Sequence, residues 1–359
     1  MSYKFPYRWN LADGFPAKGI ESNGLNVFGT FICGGGSTMG YKLAGYNHIG
    51  GVEIDPPIAN IYKANHKPKY LYNMDIRDFI TKKEIPNELF NLDILDGSPP
   101  CSTFSMAGIR ESAWGKKKKF REGQTEQTLD DLFFEFIKLA NRLKPKVIIA
   151  ENVKGMVQGN ARAYVNEVNK GLDRIGYKVQ LFLLNAASMG VPQRRERVFF
   201  VCSRKDLNFP KLELDFNEPA ITFSQIKCEG ELIPLQPKQK DYWDKRKSTD
   251  KGIGCVAKRI EGKDKYFSHV FVKSNLVLPT ITSANDRQLC LFKEPRYLTD
   301  KEIKLGGSYP LDYEFNKVRP GYLIGMSVPP VMTAQVAHQI YKQWLKPIKK
   351  SETKAYKEL

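Results

Sequence analysis

The chain has 359 residues, a formal net charge of +17 and a hydrophobic fraction of 42%. It is longer than one ordinary domain and apolar enough for a real core, and a chain this basic meets a polyanion, with 12% aromatics favouring nucleic acid over a membrane. It has no apolar run long enough to span a bilayer, no apolar signal-peptide core after Met1, and no CxxC pair among Cys33, Cys101, Cys202, Cys228, Cys255 and Cys290. Reduced thiols in a cytoplasm fit that spacing better than disulfides or zinc.

Residues 1–24 are irregular and rich in Gly, Pro and aromatics, and read as an arm. Residues 25–32 read as a strand, Cys33-Gly34-Gly35-Gly36 as a tight turn and 37–44 as a helix; 49–53 is the next strand and ends in an acid, Glu53. This βαβ pattern suits an adenosine-containing cofactor: glycines let the backbone approach the ligand, and the acid can accept both ribose hydroxyls. Gly36 and Glu53 stand close to the usual spacing of roughly 20 residues. The turn is not GxGxxG, which disfavours a nicotinamide or flavin enzyme. Asp75, in Asn73-Met74-Asp75-Ile76, is a second acid at a third strand end. It either accepts from an adenine amino group or caps a helix.

Residues 92–95 are a short buried strand, followed by Asp96-Gly97-Ser98-Pro99-Pro100-Cys101. Gly97, Pro99 and Pro100 read as ending the strand in a rigid turn. Cys101 then lies at the carboxyl edge of a parallel sheet, where open α/β folds hold their chemistry, and is a candidate nucleophile. Glu151-Asn152-Val153 ends a second buried strand at 147–150, and 193–197 opens a third at 198–201. A thiol, a carboxylate and a guanidinium pair therefore all fall at strand edges. Residues 108–125 carry Arg110, Lys116, Lys117, Lys118, Lys119 and Arg121 with Trp114 and Phe120 between them, and read as a mobile loop that closes on phosphate. Helices are predicted at 129–143 and 161–175, and a strand at 179–184. Residues 206–290 show short strands, Pro and Gly punctuation and many lysines, without α/β alternation, and read as a separate smaller domain. Gly325-Met326-Ser327-Val328-Pro329-Pro330 precedes an apolar helix at 331–344 that returns to the first domain, and the tail is basic.

In this order the motifs resemble those of the DNA (cytosine-5) methyltransferases of bacterial restriction-modification systems. Phe31-x-Cys33-x-Gly35-Gly36 is similar to the cofactor turn, Pro100-Cys101 to the catalytic motif and Glu151-Asn152-Val153 to the base-binding motif. Gln193-x-Arg195-x-Arg197 is similar to the paired-arginine motif. Pro279-Thr280-Ile281-Thr282 and Arg296-Tyr297-Leu298-Thr299-x-x-Glu302 resemble the segments bordering the recognition domain, and Gly325-x-Ser327-Val328 the closing motif. The chain departs from the pattern at Cys33, usually Gly, at Gly29, where Asp is common, and at Met326, usually Asn.

The resemblance implies an α/β, S-adenosylmethionine-dependent (Rossmann-like) methyltransferase fold: a mixed sheet with helices on both faces, plus a smaller irregular, β-rich target-recognition domain. The layout would be an arm at 1–24, a catalytic domain at 25–205, a target-recognition domain at 206–319, a return at 320–345 and a tail at 346–359. The implied reaction moves a methyl group from S-adenosylmethionine to C5 of cytosine in a specific DNA sequence, leaving S-adenosylhomocysteine. The Cys101 thiolate would add to C6 of a flipped-out base. Protonated Glu151 would bind N3 and the exocyclic amine, with Arg197 and Arg195 at O2. Phe31 would stack on adenine, Glu53 would hold the ribose, and Asp75 and Ile76 would bracket the adenine. Cys33, Gly35, Gly36, Ile54, Pro100 and Asn185 would complete the pocket, and Ser327 and Val328 its methionine end. Ser105, Arg110 and Lys116 to Lys119 would meet DNA, and no metal is called for. The expected setting is a monomer on double-stranded DNA in a bacterial cytoplasm or nucleoid, with any cognate restriction endonuclease a separate protein. An RNA cytosine-5 methyltransferase and a catalytically silent DNA-binding relative are the alternatives.

Overall fold

The computed structural model describes residues 4–15, 20–100, 131–158, 161–229, 232–283 and 287–348, and the backbone of 117–118 and 127–128. The chain divides into two units. One comprises Ala17–Asn185, Glu196–Asp215 and Thr333–Leu359. The other comprises Met1–Pro16, Ala186–Arg195 and Phe216–Met332.

In the first unit, apolar runs alternate with amphipathic helices. The elements are β1 (Asn26–Thr30), α1 (Gly36–Leu43), β2 (Asn47–Val52), α2 (Pro56–His66), β3 (Tyr70–Tyr72), α3 (Ile76–Thr81) and β4 (Ile94–Gly97). They continue with α4 (Leu132–Leu143), β5 (Val147–Val153), α5 (Ala161–Arg174), β6 (Tyr177–Asn185) and β7 (Glu196–Arg204). The seven strands form one sheet in the order β3-β2-β1-β4-β5-β7-β6. The first five pair in parallel, and β7 runs antiparallel to both of its neighbours. This is the expected mixed α/β sheet. β4 is buried at every position, as a parallel strand covered on both faces must be. α4 places Leu132, Phe133, Phe136, Leu139, Ala140 and Leu143 on its buried side, at the spacing of one helical face. Phe133 meets Phe200 of β7 edge-on at 5.1 Å.

Gly97 is the last residue of β4, so the strand ends where the sequence places its end. A Cβ there would lie 2.6 Å from Phe136 and 2.6 Å from Thr30, so close packing, not a turn, calls for glycine. Near the end of the chain, α11 (Pro330–Ile340) rejoins this unit from Thr333 on. Tyr46 donates to the Ala337 carbonyl at 2.9 Å, and Trp344 donates to Pro210 at 2.8 Å and stacks on Phe209.

The second unit holds α6 (Phe223–Ile226), α7 (Pro237–Asp244), α8 (Ile253–Glu261), β8 (Val270–Val272), β9 (Leu289–Leu291), α9 (Asp300–Gly306) and α10 (Pro320–Met326). The expected β-rich character of 206–290 is not found: the strands described there form one parallel pair of three residues each, beside three helices. Two polar stretches there are helix starts. Thr222 with Gln225, and Gln236 with Gln239, form reciprocal N-terminal caps, and Pro237 opens α7. Trp243, Ile253, Val256, Phe271 and Tyr297 form the local core. Arg296 and Glu302 pair through two bonds of 2.9 Å, with side-chain exposures of 3% and 0%. Trp9 of the arm donates to the Ser308 carbonyl at 3.1 Å.

Candidate active site

β1 runs into a turn in which Phe31, Cys33 and Gly35 have φ of 53°, 47° and 75°. Only glycine adopts that region without strain. Gly35 has a second constraint, since a Cβ there would lie 2.2 Å from Nε2 of His66. His66, the last residue of α2, places the same nitrogen 3.2 Å from the Gly34 carbonyl. Burial, aided by Lys42, pushes the His66 pKa down to about 3, so a neutral imidazole supports this turn.

Glu53 follows β2 with its carboxylate buried. One oxygen accepts from the Cys33 N–H at 2.9 Å and the other from the Asp55 N–H at 2.9 Å. Burial raises its pKa to about 7, while these hydrogen bonds act in the opposite direction. A carboxylate has about four acceptor positions, so acceptor capacity remains for a ligand's hydroxyl. Asn73 donates to the Glu53 carbonyl at 2.7 Å and so joins the ends of β3 and β2. Asp75 caps α3: it accepts from the Arg77 N–H at 2.8 Å and pairs with the Arg77 guanidinium at 3.1 Å. Of the two readings left open for Asp75, the cap is the one its side chain makes. Ile76 is buried, and Phe31, Ile54, Pro100 and Asn185 are half-buried. A glycine-bearing turn after one strand and a carboxylate after the next fit the adenosine part of S-adenosylmethionine.

Asp96 lies one strand over, in β4. Tyr41 donates to it at 2.9 Å. Burial raises its pKa to about 7, and the charge of Glu151 adds to the shift. Pro99 accepts from Asn152 Nδ2 at 3.1 Å, so the end of β5 holds the turn that leads to Cys101. Glu151 is one residue earlier on β5. Val153 faces Arg197 across the β5–β7 ladder and Glu151 faces Phe199, so Glu151 and Arg197 are diagonal neighbours on one face. Their side chains, 10% and 14% exposed, pair at 2.8 Å. Burial lowers the pKa of Arg197, and Glu151 counters that shift.

Arg195 belongs to the second unit. It is 1% exposed and donates to the Ile281 carbonyl at 3.0 Å and the Gly325 carbonyl at 2.8 Å, both in the second unit. Gln193 does similar work, donating to Gly306 at 3.1 Å and accepting from Ile281 at 3.0 Å. Ser327 is buried and donates to the Leu323 carbonyl at 2.9 Å; Val328 is buried, and Met326 is the last residue of α10. Cys101, Ser105, Arg110, Lys116 and Lys119 lie outside the described residues. Of Lys117 and Lys118 only the backbone is described, paired antiparallel with Gln127–Thr128. Sequence reasoning missed His66, Tyr41 and the role of Asp96. An acid inside an otherwise apolar strand was a legible signal for Asp96; nothing local marked the other two.

A family model described as C-5 cytosine-specific DNA methylase matches residues 25–342. The type II methyltransferase M.FnuDI of Fusobacterium nucleatum is 30% identical over 266 residues, covering 70% of this chain and 67% of that protein. M.NgoPII of Neisseria gonorrhoeae is 27% identical over 344 residues, covering 89% and 96%. Among solved structures, Spodoptera frugiperda DNMT2 matches with a TM-score of 0.62 at 19% identity, covering 88% of this chain and 99% of that one. S. pombe Dnmt2 matches at 0.58 and 16%, covering 89% and 98%.

Proposed function

Because the chain belongs to the C-5 cytosine-specific DNA methylase family, we propose that Cys101, Glu151 and Arg197 carry out the family's reaction at the carboxyl edge of its sheet. The protein is a DNA (cytosine-5)-methyltransferase of the kind found in type II restriction-modification systems. The observation that carries the assignment of residues is the Glu151–Arg197 pair at 2.8 Å, beside the Pro99 turn that Asn152 holds.

C5 of cytosine is too weak a nucleophile to be methylated directly. The Cys101 thiolate forms a bond to C6, which makes C5 enamine-like. Negative charge then builds on the ring at N3 and O2. Glu151, holding a proton, neutralises N3 and binds the exocyclic amine, and Arg197 holds O2. S-adenosylmethionine, when bound, supplies the methyl group. The C5 proton then leaves, the electrons of that bond re-form C5=C6, and the Cys101 thiolate is expelled.

For the cofactor we retain Phe31, Cys33, Gly35, Gly36, Glu53, Ile54, Ile76, Pro100, Asn185, Ser327 and Val328, and give Asp75 the task of fixing the start of α3. We assign Arg195 to positioning, because its guanidinium holds two backbone carbonyls. Ser105, Arg110 and Lys116 to Lys119 meet DNA phosphate. The second unit reads the sequence, and the protein works as a monomer on double-stranded DNA in a bacterial cytoplasm, apart from any cognate endonuclease. Among the described residues no helix is long and apolar enough to cross a membrane.

The test is a duplex carrying 5-fluorocytosine. Fluorine cannot leave as the proton does, so the wild type should form a denaturation-resistant adduct and Cys101→Ala should not. Methylation without any adduct would refute the role of Cys101. Bisulfite sequencing of DNA from expressing cells gives the target sequence.

A further inference from the structure

Phe267 is 89% exposed, whereas the next most exposed large apolar side chain among the described residues, Leu232, is 58% exposed. It lies in the connection from α8 to β8, and that connection is held closely. Gly254 of α8 carries no side chain where a Cβ would lie 2.9 Å from Phe267 Cα and 2.9 Å from the Tyr266 carbonyl. Tyr266 has φ of 55°, and its ring packs at 5.2 Å on His269 and 5.8 Å on Tyr242. The His269 N–H donates to Tyr266 at 3.0 Å, and the Ile253 N–H to His269 at 2.9 Å. Tyr266 and Phe271 pack on the core of this unit, so the backbone turns one ring inward and the adjacent one out to solvent.

The surroundings of Phe267 are cationic. Residues 258–273 hold Lys258, Arg259, Lys263, Lys265 and Lys273 against Glu261 and Asp264; Arg259 is held by Asp250 at 2.8 Å and Lys273 by the Ser248 carbonyl at 2.9 Å, which leaves the three other lysines for an anion. The pairs Lys258–Asp264, at 3.0 Å, and Lys265–Glu261, at 3.7 Å, are exposed and can yield to a stronger anion. An exposed ring on a held backbone, beside ammonium groups, matches the two demands of nucleic acid with an exposed base, a surface for that base and charge for phosphates. We propose that Phe267 stacks against a base whose face the bound DNA exposes by unstacking, while the neighbouring lysines take the phosphates. The inference rests on DNA being the substrate, as proposed above.

The test compares Phe267→Ala, Phe267→Leu and Phe267→Trp by fluorescence anisotropy on a target duplex over a range of salt. Phe267→Ala should leave thermal unfolding unchanged and weaken binding about tenfold, equal to about 1.4 kcal/mol. The slope of log affinity on log salt should not change, because no phosphate contact is lost. Phe267→Leu should resemble the Ala variant, and Phe267→Trp should stay within about threefold of the wild type, since indole offers an equal stacking face. Affinity of Phe267→Ala within about twofold of the wild type would overturn the proposal. So would a loss accompanied by a shallower salt slope, which would mean the lysines had moved. Self-association in sedimentation that Phe267→Ala abolishes, with DNA affinity intact, would assign the ring to a second copy instead and overturn it too. The wild-type 5-fluorocytosine adduct separates the two readings: its absence sinks the catalytic assignment, and its presence with an unaltered Phe267→Ala affinity sinks this inference alone.

Discussion

Glu53 shows how burial sets the behaviour of a single residue. Its carboxyl titrates at about 7 in the folded chain against 4.5 when exposed. Between those values the folded state holds the extra proton, so this residue's contribution to stability falls as pH rises, and its full penalty is present above pH 7. Asp96 moves the same way, from 3.8 to about 7. The buried, neutral His66 acts oppositely: the unfolded chain protonates it near 6.5, so its contribution is lost as pH falls below that value. The comparison of Glu53→Gln with the wild type isolates the carboxyl. In calorimetry of the cofactor-free protein, the variant should gain stability relative to the wild type between pH 4.5 and 7, up to about 3 kcal/mol. A difference that is flat across that window would contradict the buried carboxyl. Glu53→Ala should also weaken S-adenosylhomocysteine binding roughly tenfold or more, since hydrogen bonds to a charged acceptor are worth about 1.5–3 kcal/mol. The paired arginines should separate by readout. Arg195→Ala leaves two buried carbonyls without its guanidinium and should lower stability by about 2–5 kcal/mol in thermal unfolding, yet keep adduct formation per folded molecule. Arg197→Ala should lose the adduct.

The turn after β1 is the element on which the cofactor assignment rests, and its glycines are not equivalent. Gly35→Ala combines a left-handed backbone with a Cβ 2.2 Å from His66, and should destabilise by about 2 kcal/mol or more and weaken S-adenosylhomocysteine binding. Cys33→Gly relieves a φ of 47°, so it should raise stability by about 0.5–1 kcal/mol; a loss of that size in calorimetry would show that the thiol packs usefully. The apolar runs made most of this sheet legible in the sequence, because a strand buried on both faces has few polar positions. Glu151 and Arg197 could be placed at strand edges by the same runs. The pattern reports burial but not partners. It therefore located Gly97 at the strand's end but not Phe136 and Thr30, which exclude a side chain there, nor the carbonyls that Arg195 holds. The partners of Arg195 are Ile281 and Gly325, far along the chain, and no local signal announces them. Around 206–290 the reading missed helices: Pro and Gly punctuation read as strand breaks, while Pro237 opens α7.

At the scale of the whole molecule, a net charge of +17 should make DNA binding steeply salt-dependent. Changing Lys116, Lys117, Lys118 and Lys119 to Ala should reduce the slope of log affinity on log salt by up to about 3.6 on all sequences, if each lysine meets one phosphate. A changed target sequence with an unchanged slope would count against that assignment. The division into units has a different consequence, which appears when the chain is made. It passes from one unit to the other after residues 16, 185, 195, 215 and 332. A nascent chain that has emerged through β6 lacks β7, which must later enter between β5 and β6. Even after β7 has emerged, the Ala337 carbonyl that receives Tyr46 and the Trp344 ring that stacks on Phe209 are still to come. From Arg204 to Thr333 that interval is roughly 6–26 s at 5–20 residues per second. Throughout that interval the unit lacks the C-terminal segment that packs on Tyr46 and Phe209, which makes it a substrate for holding chaperones and proteases. Ribosome-bound chains arrested short of residue 333 should therefore be digested throughout their length under conditions in which the full-length chain resists.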